Sequence, residues 1–471
     1  MRDPVTNGAA GGSRTGPAPD ERVLWAEHAW LGDRTEPGVA LGVTADGRIS
    51  TVRTGVPVPP PGARELRGLT VPGLADTHSH AFHRALRGTV QVGSGTFWTW
   101  REVMYGIAAR LTPETYYTLA RAVYAEMALA GITAVGEFHY LHHAPDGRPY
   151  ADPNAMGLAL IEAARDAGVR ITLLDTVYLH GGLTAGGHTP LTGPQIRFGD
   201  GTADAWYERW TRLRERDDDH AGVRIGAAVH SVRAFAEADG YADFVRRTDG
   251  VPVHVHLSEQ PAENEACLAL HGVTPTRLLD RHGFWKPTTT AVHATHLTDD
   301  DIRILGSAGA GVCMCPTTER DLADGIGRAA DLGRAGSPLS LGTDSHAVID
   351  ILEEARAMEL NERLRTRTRG HWTAAALLRA ATEDGHAALG RPDAGRIEPG
   401  APADLTTVAL DTVRTAGPVP RLAAEAVVFA GTAADVRDVI VGGRTVVAGG
   451  VHRSVPDPAA ELVRAIAAVR S

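Results

Sequence analysis

Lysine is nearly missing from this sequence. Lys286 is the single lysine in 471 residues, and arginine supplies the rest of the 47 basic side chains. Chemistry that needs a reactive lysine amine, such as Schiff-base formation, therefore has almost nothing to use. Cysteine is scarce too. Cys267, Cys313 and Cys315 are too few for a disulfide framework, and a Cys-x-Cys pair within one strand cannot easily bridge itself. No apolar run approaches the roughly 18 to 20 residues of a membrane span. A net charge of −10 offers no basic surface to nucleic acid or to an anionic membrane. Residues 1–20, MRDPVTNGAAGGSRTGPAPD, lack the apolar core of a signal peptide and read as a disordered tail. The expectation is a cytoplasmic homodimer with no membrane or nucleic-acid partner.

The composition is that of a globular protein with a large core, 43% hydrophobic and 22% charged. After the tail, short strand and turn signals fill residues 22 to 70 in RVLWAEHAWLG, GVALGVTADGRISTV and the Pro-rich VPVPPPGA. A similar all-β signal returns in ADLTTVAL, AEAVVFAG and DVRDVIVGGRTVVAGG, where Gly-Gly marks a hairpin turn. Between them, eight apolar runs alternate with helical patterns: LTVPGLADTHSH, ITAVGEFHY, VRITLLDTVYLH, VRIGAAVHSV, VPVHVHLSE, TTAVHATHL, AGVCMCPTTE and PLSLGTDSH. One helix is signalled by Thr112 as a cap, Pro113 in its first turn, Glu114 for the dipole and Gly131 as a stop, and Thr298 begins another. Eight such units predict an α/β fold of the (β/α)8, TIM-barrel type, with its chemistry at the C-terminal strand ends.

The stretch GLADTHSHAFHRALRG, Gly73 to Gly88, sets His78, His80 and His83 within six positions. A polar turn would suffice for exposed imidazoles. Alternate residues of a strand point the same way, however, so His78 and His80 can converge on one ion. Polar residues recur at later strand ends: His256 on the fifth, His293 on the sixth and Asp344 on the eighth. Their coincidence with the mouth of the barrel favours a metal site.

The combination of DTHSH, HVHLSE, VHATH and GTDSH resembles the amidohydrolase superfamily, over about residues 21 to 455. HSHAFHRAL, TFWTWREVMY, EFHYLHH, HSVRAF, HLSEQ, VHATH and CPTTERDLADGI, in that order, are similar to the formimidoylglutamate deiminases. The resemblance implies a β-sandwich from residues 21–70 and 391–455, a catalytic barrel over 71–390 and a C-terminal helix over 456–471. It further implies that His78, His80, His256 and Asp344 hold one divalent ion, for which three imidazoles and a carboxylate suit zinc. His254 shares the fifth strand with His256, but lies deeper and is expected to be structural. A lysine-bridged pair of metals is not expected, because Lys286 precedes the sixth strand in GFWKPTT.

The implied activity is hydrolysis of N-formimino-L-glutamate to N-formyl-L-glutamate and ammonia, a step of histidine breakdown. A bound zinc can bring the pKa of water to about 7. Asp344 is the candidate base, His293 (rather than His296) orients the water, and Glu259 carries a proton to the departing nitrogen. The substrate is a dicarboxylate, so arginine forks are needed. By the resemblance, Arg233 and Tyr140 hold one carboxylate, and Arg101, in an aromatic loop after the first strand, holds the other. The family pattern has glutamine where this sequence has His83, which is expected to touch substrate and as an imidazolium would favour a carboxylate. Two alternatives remain. A purine or pyrimidine aminohydrolase of the same superfamily would need an aromatic platform and amide readers of a base edge. A catalytically dead scaffold barrel should lack a ligand or the acid/base pair, and here all are present.

Overall fold

In the computed structural model, residues 22–218 and 222–470 are described; the tail expected over 1–20 lies outside them. Eighteen strands run through these residues. In chain order they are β1 (Arg22–Trp30), β2 (Thr35–Val43), β3 (Ile49–Arg53), β4 (Arg64–Pro72), β5 (Leu74–Ser79), β6 (Ile132–His139), β7 (Arg170–Val177), β8 (Gly182–Thr184) and β9 (Gly187–Thr189). There follow β10 (Val223–Val229), β11 (Val253–Leu257), β12 (Thr289–His293), β13 (Gly311–Met314), β14 (Leu339–Leu341), β15 (Leu405–Val408), β16 (Val436–Val441), β17 (Arg444–Ala448) and β18 (Val451–His452).

Strands from the two chain ends share one eight-stranded sheet, in the order β18-β17-β16-β15-β4-β1-β2-β3. It has a core of its own, from Leu24, Val39, Leu41, Leu66, Leu405 and Ile440 among others. The second large sheet runs β14-β13-β12-β11-β10-β7-β6-β5, all parallel, and an isolated parallel bridge from Ser79 to Asp344 joins its two edges. This is the eight-stranded barrel beside a sheet drawn from both ends.

The run LTVPGLADTHSH serves both sheets. It is β4 up to Pro72 and β5 from Leu74, with Gly73 between them. A Cβ on Gly73 would lie 2.2 Å from Thr133 Oγ1, so only glycine lets the chain cross here. Thr112 accepts from the Thr115 N–H and begins the helix Pro113–Leu129, and Thr298 does the same for Asp299–Ala308. Two expectations fail. AEAVVFAG is the helix Ala423–Ala430, not a strand, because alanine-rich sequence favours helix and its apolar face is buried. The aromatic stretch with Arg101 is likewise no loop but the helix Phe97–Ala108, capped by Thr96, with Phe97, Met104 and Ile107 buried on one face. Buried Arg197 fixes its C-terminal end, donating to the Ala108 and Leu111 carbonyls. The C-terminal helix is Pro458–Arg470, and no helix among the described residues is long and apolar enough to cross a membrane.

Beneath the mouth lies a buried ionic network. Arg209 donates to both oxygens of Asp175 (2.7 and 2.9 Å) and both of Asp200 (2.9 and 3.0 Å), and Asp200 lies 3.2 Å from His143 Nε2. Removing the cation would take the guanidinium from two buried carboxylates, leaving Asp175 with the Trp206 N–H and Asp200 with His143. Arg209→Met is expected to destabilise the fold by about 3 to 5 kcal/mol. Denaturant unfolding measures it, and a loss under about 1 kcal/mol would mean that the network relaxes into solvent.

Candidate metal centre

Among the described residues, five of the seven non-glycine residues with positive φ cluster at or just after the ends of barrel strands: Ser258, His293, Ala294, Asp344 and His346. Such backbone is costly, by about 1 to 3 kcal/mol per residue, and collects where side chains must be aimed. At this end of the barrel His78 Nε2 lies 3.1 Å from His256 Nε2 and 3.3 Å from Asp344 Oδ1, and His80 Nε2 is 3.5 Å from that same oxygen. Tetrahedral zinc with bonds of about 2.0 to 2.1 Å requires donor atoms roughly 3.3 to 3.4 Å apart. The spacing fits.

The donor chemistry fits as well. His80 Nδ1–H donates to the Phe138 carbonyl and His256 Nδ1–H to that of His230, each at 2.9 Å, which leaves both Nε2 lone pairs facing inward. Burial holds these imidazoles neutral: it lowers His80 to about 3, and His78 and His256 fall below the usual histidine value too. Burial pushes Asp344 up, but the His78, His293 and His80 rings outweigh it and keep this carboxylate below its usual range. Gly342 closes the assembly, because a Cβ there would lie 2.8 Å from that of His78. His254 turns elsewhere, with Nε2–H donating to Ala388 O at 3.0 Å. Lys286 is remote, paired with Asp249 at 2.8 Å.

Two overlapping sets of possible ligand atoms share Asp344: one with His78, His256 and His293, the other with His80 and His83. His293 differs from the neutral rings. Burial lowers it, yet the carboxylates of Glu259, Glu319 and Asp344 hold it well above the ordinary value. Its Nε2 lies 3.7 Å from Asp344 Oδ2 and 3.8 Å from Glu259 Oε1. Burial pushes Glu259 up, against the pull of His293 and Arg233. A buried acid next to a cationic imidazole can hold and pass a proton.

His80, His256, Glu259, His293 and Asp344 line one cavity together with His83, Arg101, Tyr140 and Arg233. Arg233, 12% exposed, is not a free cation: its Nε contacts Glu263 Oε2 at 2.7 Å and donates to Ser231 Oγ at 3.2 Å. The guanidinium of Arg101 lies over Trp98 and Tyr105, and among the described residues it forms no ion pair. Tyr140 OH is 3.2 Å from His83 Nε2. Burial drives His83 well below its usual value, which favours the neutral hydrogen-bonding ring over the imidazolium.

Sequence reasoning passed over four contributors. His230 directly follows β10 and lines the cavity beside Tyr178; it stands in the VHSVR run, close to the strand end as the chosen histidines are. Glu137 accepts from Ser79 Oγ and Ala81 N–H, both at 2.8 Å, and so steadies His80 from either side. Glu263 holds Arg233. Glu319 lies 3.5 Å from His293 Nδ1. The last three act through contacts across the fold.

A parallel barrel with imidazoles and a carboxylate gathered at its C-terminal mouth defines a hydrolase built around a metal centre. The amidohydrolase family model matches residues 69–446. Formimidoylglutamate deiminase of Pseudomonas aeruginosa is 36% identical over 440 residues, 91% of this chain and 95% of the relative. The 8-oxoguanine deaminase of the same organism is 32% identical over 361 residues, 74% of this chain and 76% of its own. A crystal structure of an amidohydrolase from Brucella melitensis superimposes with TM-score 0.87 at 33% identity, covering 96% of this chain and 100% of that one. The chain belongs to the amidohydrolase family. Within it, the protein is a deaminase that hydrolyses carbon–nitrogen bonds.

Proposed function

We propose that this deaminase converts N-formimino-L-glutamate and water to N-formyl-L-glutamate and ammonia, in histidine breakdown. One observation carries the reading: Arg233 and Arg101, with Tyr140, line the same cavity as His80, His256, His293 and Asp344. Arg101 and the guanidinium nitrogens of Arg233 other than Nε, which Glu263 and Ser231 occupy, suit two carboxylates, and the buried Glu259 complements the cationic formimino group. His78, His80, His256 and Asp344 would hold one divalent ion, zinc by its donor set. When bound, that ion supplies a Lewis acid that lowers the pKa of water, to about 7 for zinc. Asp344 accepts the proton of the attacking water, and His293 orients that water and faces the charge that develops. As the C–O bond forms and the C–N bond breaks, Glu259 delivers a proton to the nitrogen leaving as ammonia. His83 and Tyr140 close the side wall as neutral donors. The same reading takes the enzyme to be cytoplasmic and homodimeric.

The direct test is ammonia release from formiminoglutamate by the purified metal-loaded enzyme. Arg233→Met is expected to lower kcat/KM by about 10- to 150-fold, the worth of a charge-assisted bond of about 1.5 to 3 kcal/mol. An analogue lacking the matching carboxylate should be much less affected. Equal losses on both would make Arg233 structural.

A second reading has its own support. Phe97, Trp100, Tyr105, Tyr140, Tyr178 and Phe198 ring the cavity, an aromatic surface that suits a purine. Turnover of guanine or 8-oxoguanine in place of formiminoglutamate would favour it.

A further inference from the structure

His293 is 1% exposed and aimed by both ring nitrogens. Nε2 faces the cavity between Glu259 and Asp344, whereas Nδ1 faces Glu319 Oε1 at 3.5 Å. Glu319 belongs to the short helix Pro316–Asp321, which follows β13, and is 2% exposed. The Cys315 N–H donates to Oε1 at 2.8 Å, and the Asp324 N–H donates to its main-chain carbonyl at 2.9 Å. The carboxyl group is thus fixed in place, and among the described residues His293 is its only ion-pair partner. Nδ1 makes no hydrogen bond among the described residues, and catalytic hydrogen bonds that are long or misaligned in free enzymes tighten when substrate is bound.

We infer that Glu319 is the positioning residue for His293. Its carboxylate takes the Nδ1–H and fixes the rotation of the ring, so that Nε2 stays directed at the water and at Glu259. The backbone at His293 is left-handed, φ +67°, and Glu319 faces its ring from the short helix that follows β13.

The inference rests on the proposed deimination for its kinetic assay alone. Glu319→Gln is expected to keep KM and metal content and to lower kcat about 10- to 100-fold, the usual cost of losing such a supporting partner. In the His293→Asn background the same change should be nearly silent. An equal fold-loss in both backgrounds, or loss of metal along with kcat, would overturn the inference and make Glu319 a structural carboxyl. A measurement without substrate separates the two readings. In the zinc-loaded enzyme a slowly exchanging imidazole N–H proton resonance, identified by its disappearance in His293→Asn, is expected to move in Glu319→Gln. If no such resonance exists, or it stays in place, the inference falls. If the wild type releases no ammonia from formiminoglutamate, the substrate assignment fails and the resonance still decides on Glu319.

Discussion

Asp344→Asn is expected to lower kcat by about 10⁴-fold or more, because one side chain would lose two tasks. Asp344 Oδ1 stands 3.3 Å from His78 Nε2 and 3.5 Å from His80 Nε2, and Oδ2 faces His293 at 3.7 Å. The amide keeps the shape and so the packing. It removes the anion that offsets a divalent charge, and it cannot accept the proton of the water. Elemental analysis should find about one ion per chain in the wild type, since no lysine is placed to bridge a second, and substantially less in the variant. A variant with full metal and near-normal turnover would remove Asp344 from both roles.

Glu259→Gln should separate proton transfer from metal binding. The expected loss in kcat is about 10² to 10⁴-fold, the usual contribution of a positioned acid or base. Metal content should stay at the wild-type level, because Glu259 contacts the cluster only through His293, at 3.8 Å. Glutamine can still donate a hydrogen bond from the same place but cannot cycle a proton. Wild-type turnover in this variant would assign the proton to another group. Asp324 is one candidate, because burial and the charge of Glu259 raise it to about 8.

Much of this site was readable in the sequence because of where the histidines fall. A barrel strand is a short apolar run, so an imidazole or carboxylate at its end stands out, as His78, His80, His256, His293 and Asp344 do. The choice of His256 over His254 follows the same rule of depth, and the structure turns His254 to Ala388 O. The helix Phe97–Ala108 was also within reach. Phe97, Trp100, Met104 and Ile107 have helical spacing behind the cap Thr96, but three aromatic residues in four positions suggested a loop. What could not be read are the partners that meet only across the folded barrel. Glu263 lies thirty positions from Arg233 and Glu319 twenty-six from His293, and nothing local distinguishes either from a surface glutamate. The charge state of His83 belongs here too, because it depends on burial under a roof that the sequence does not describe.

The eight-stranded ring has a seam. Its first and last strands meet through one isolated bridge, Ser79 to Asp344, with the Asp344 N–H donating to His78 O at 2.9 Å and the His80 N–H to Asp344 O at 3.3 Å. The candidate ligands stand on both lips of that seam, His78 and His80 on one and Asp344 on the other. Anything gripped by all three works as a clasp on the ring. Its binding energy then adds directly to the cohesion of the fold, by RT ln(1 + [L]/Kd), about 2.7 kcal/mol at a hundredfold excess over Kd. Starving the cell of the ion would therefore cost the enzyme its shape as well as its turnover, with amide exchange quickening first along β5 and β14.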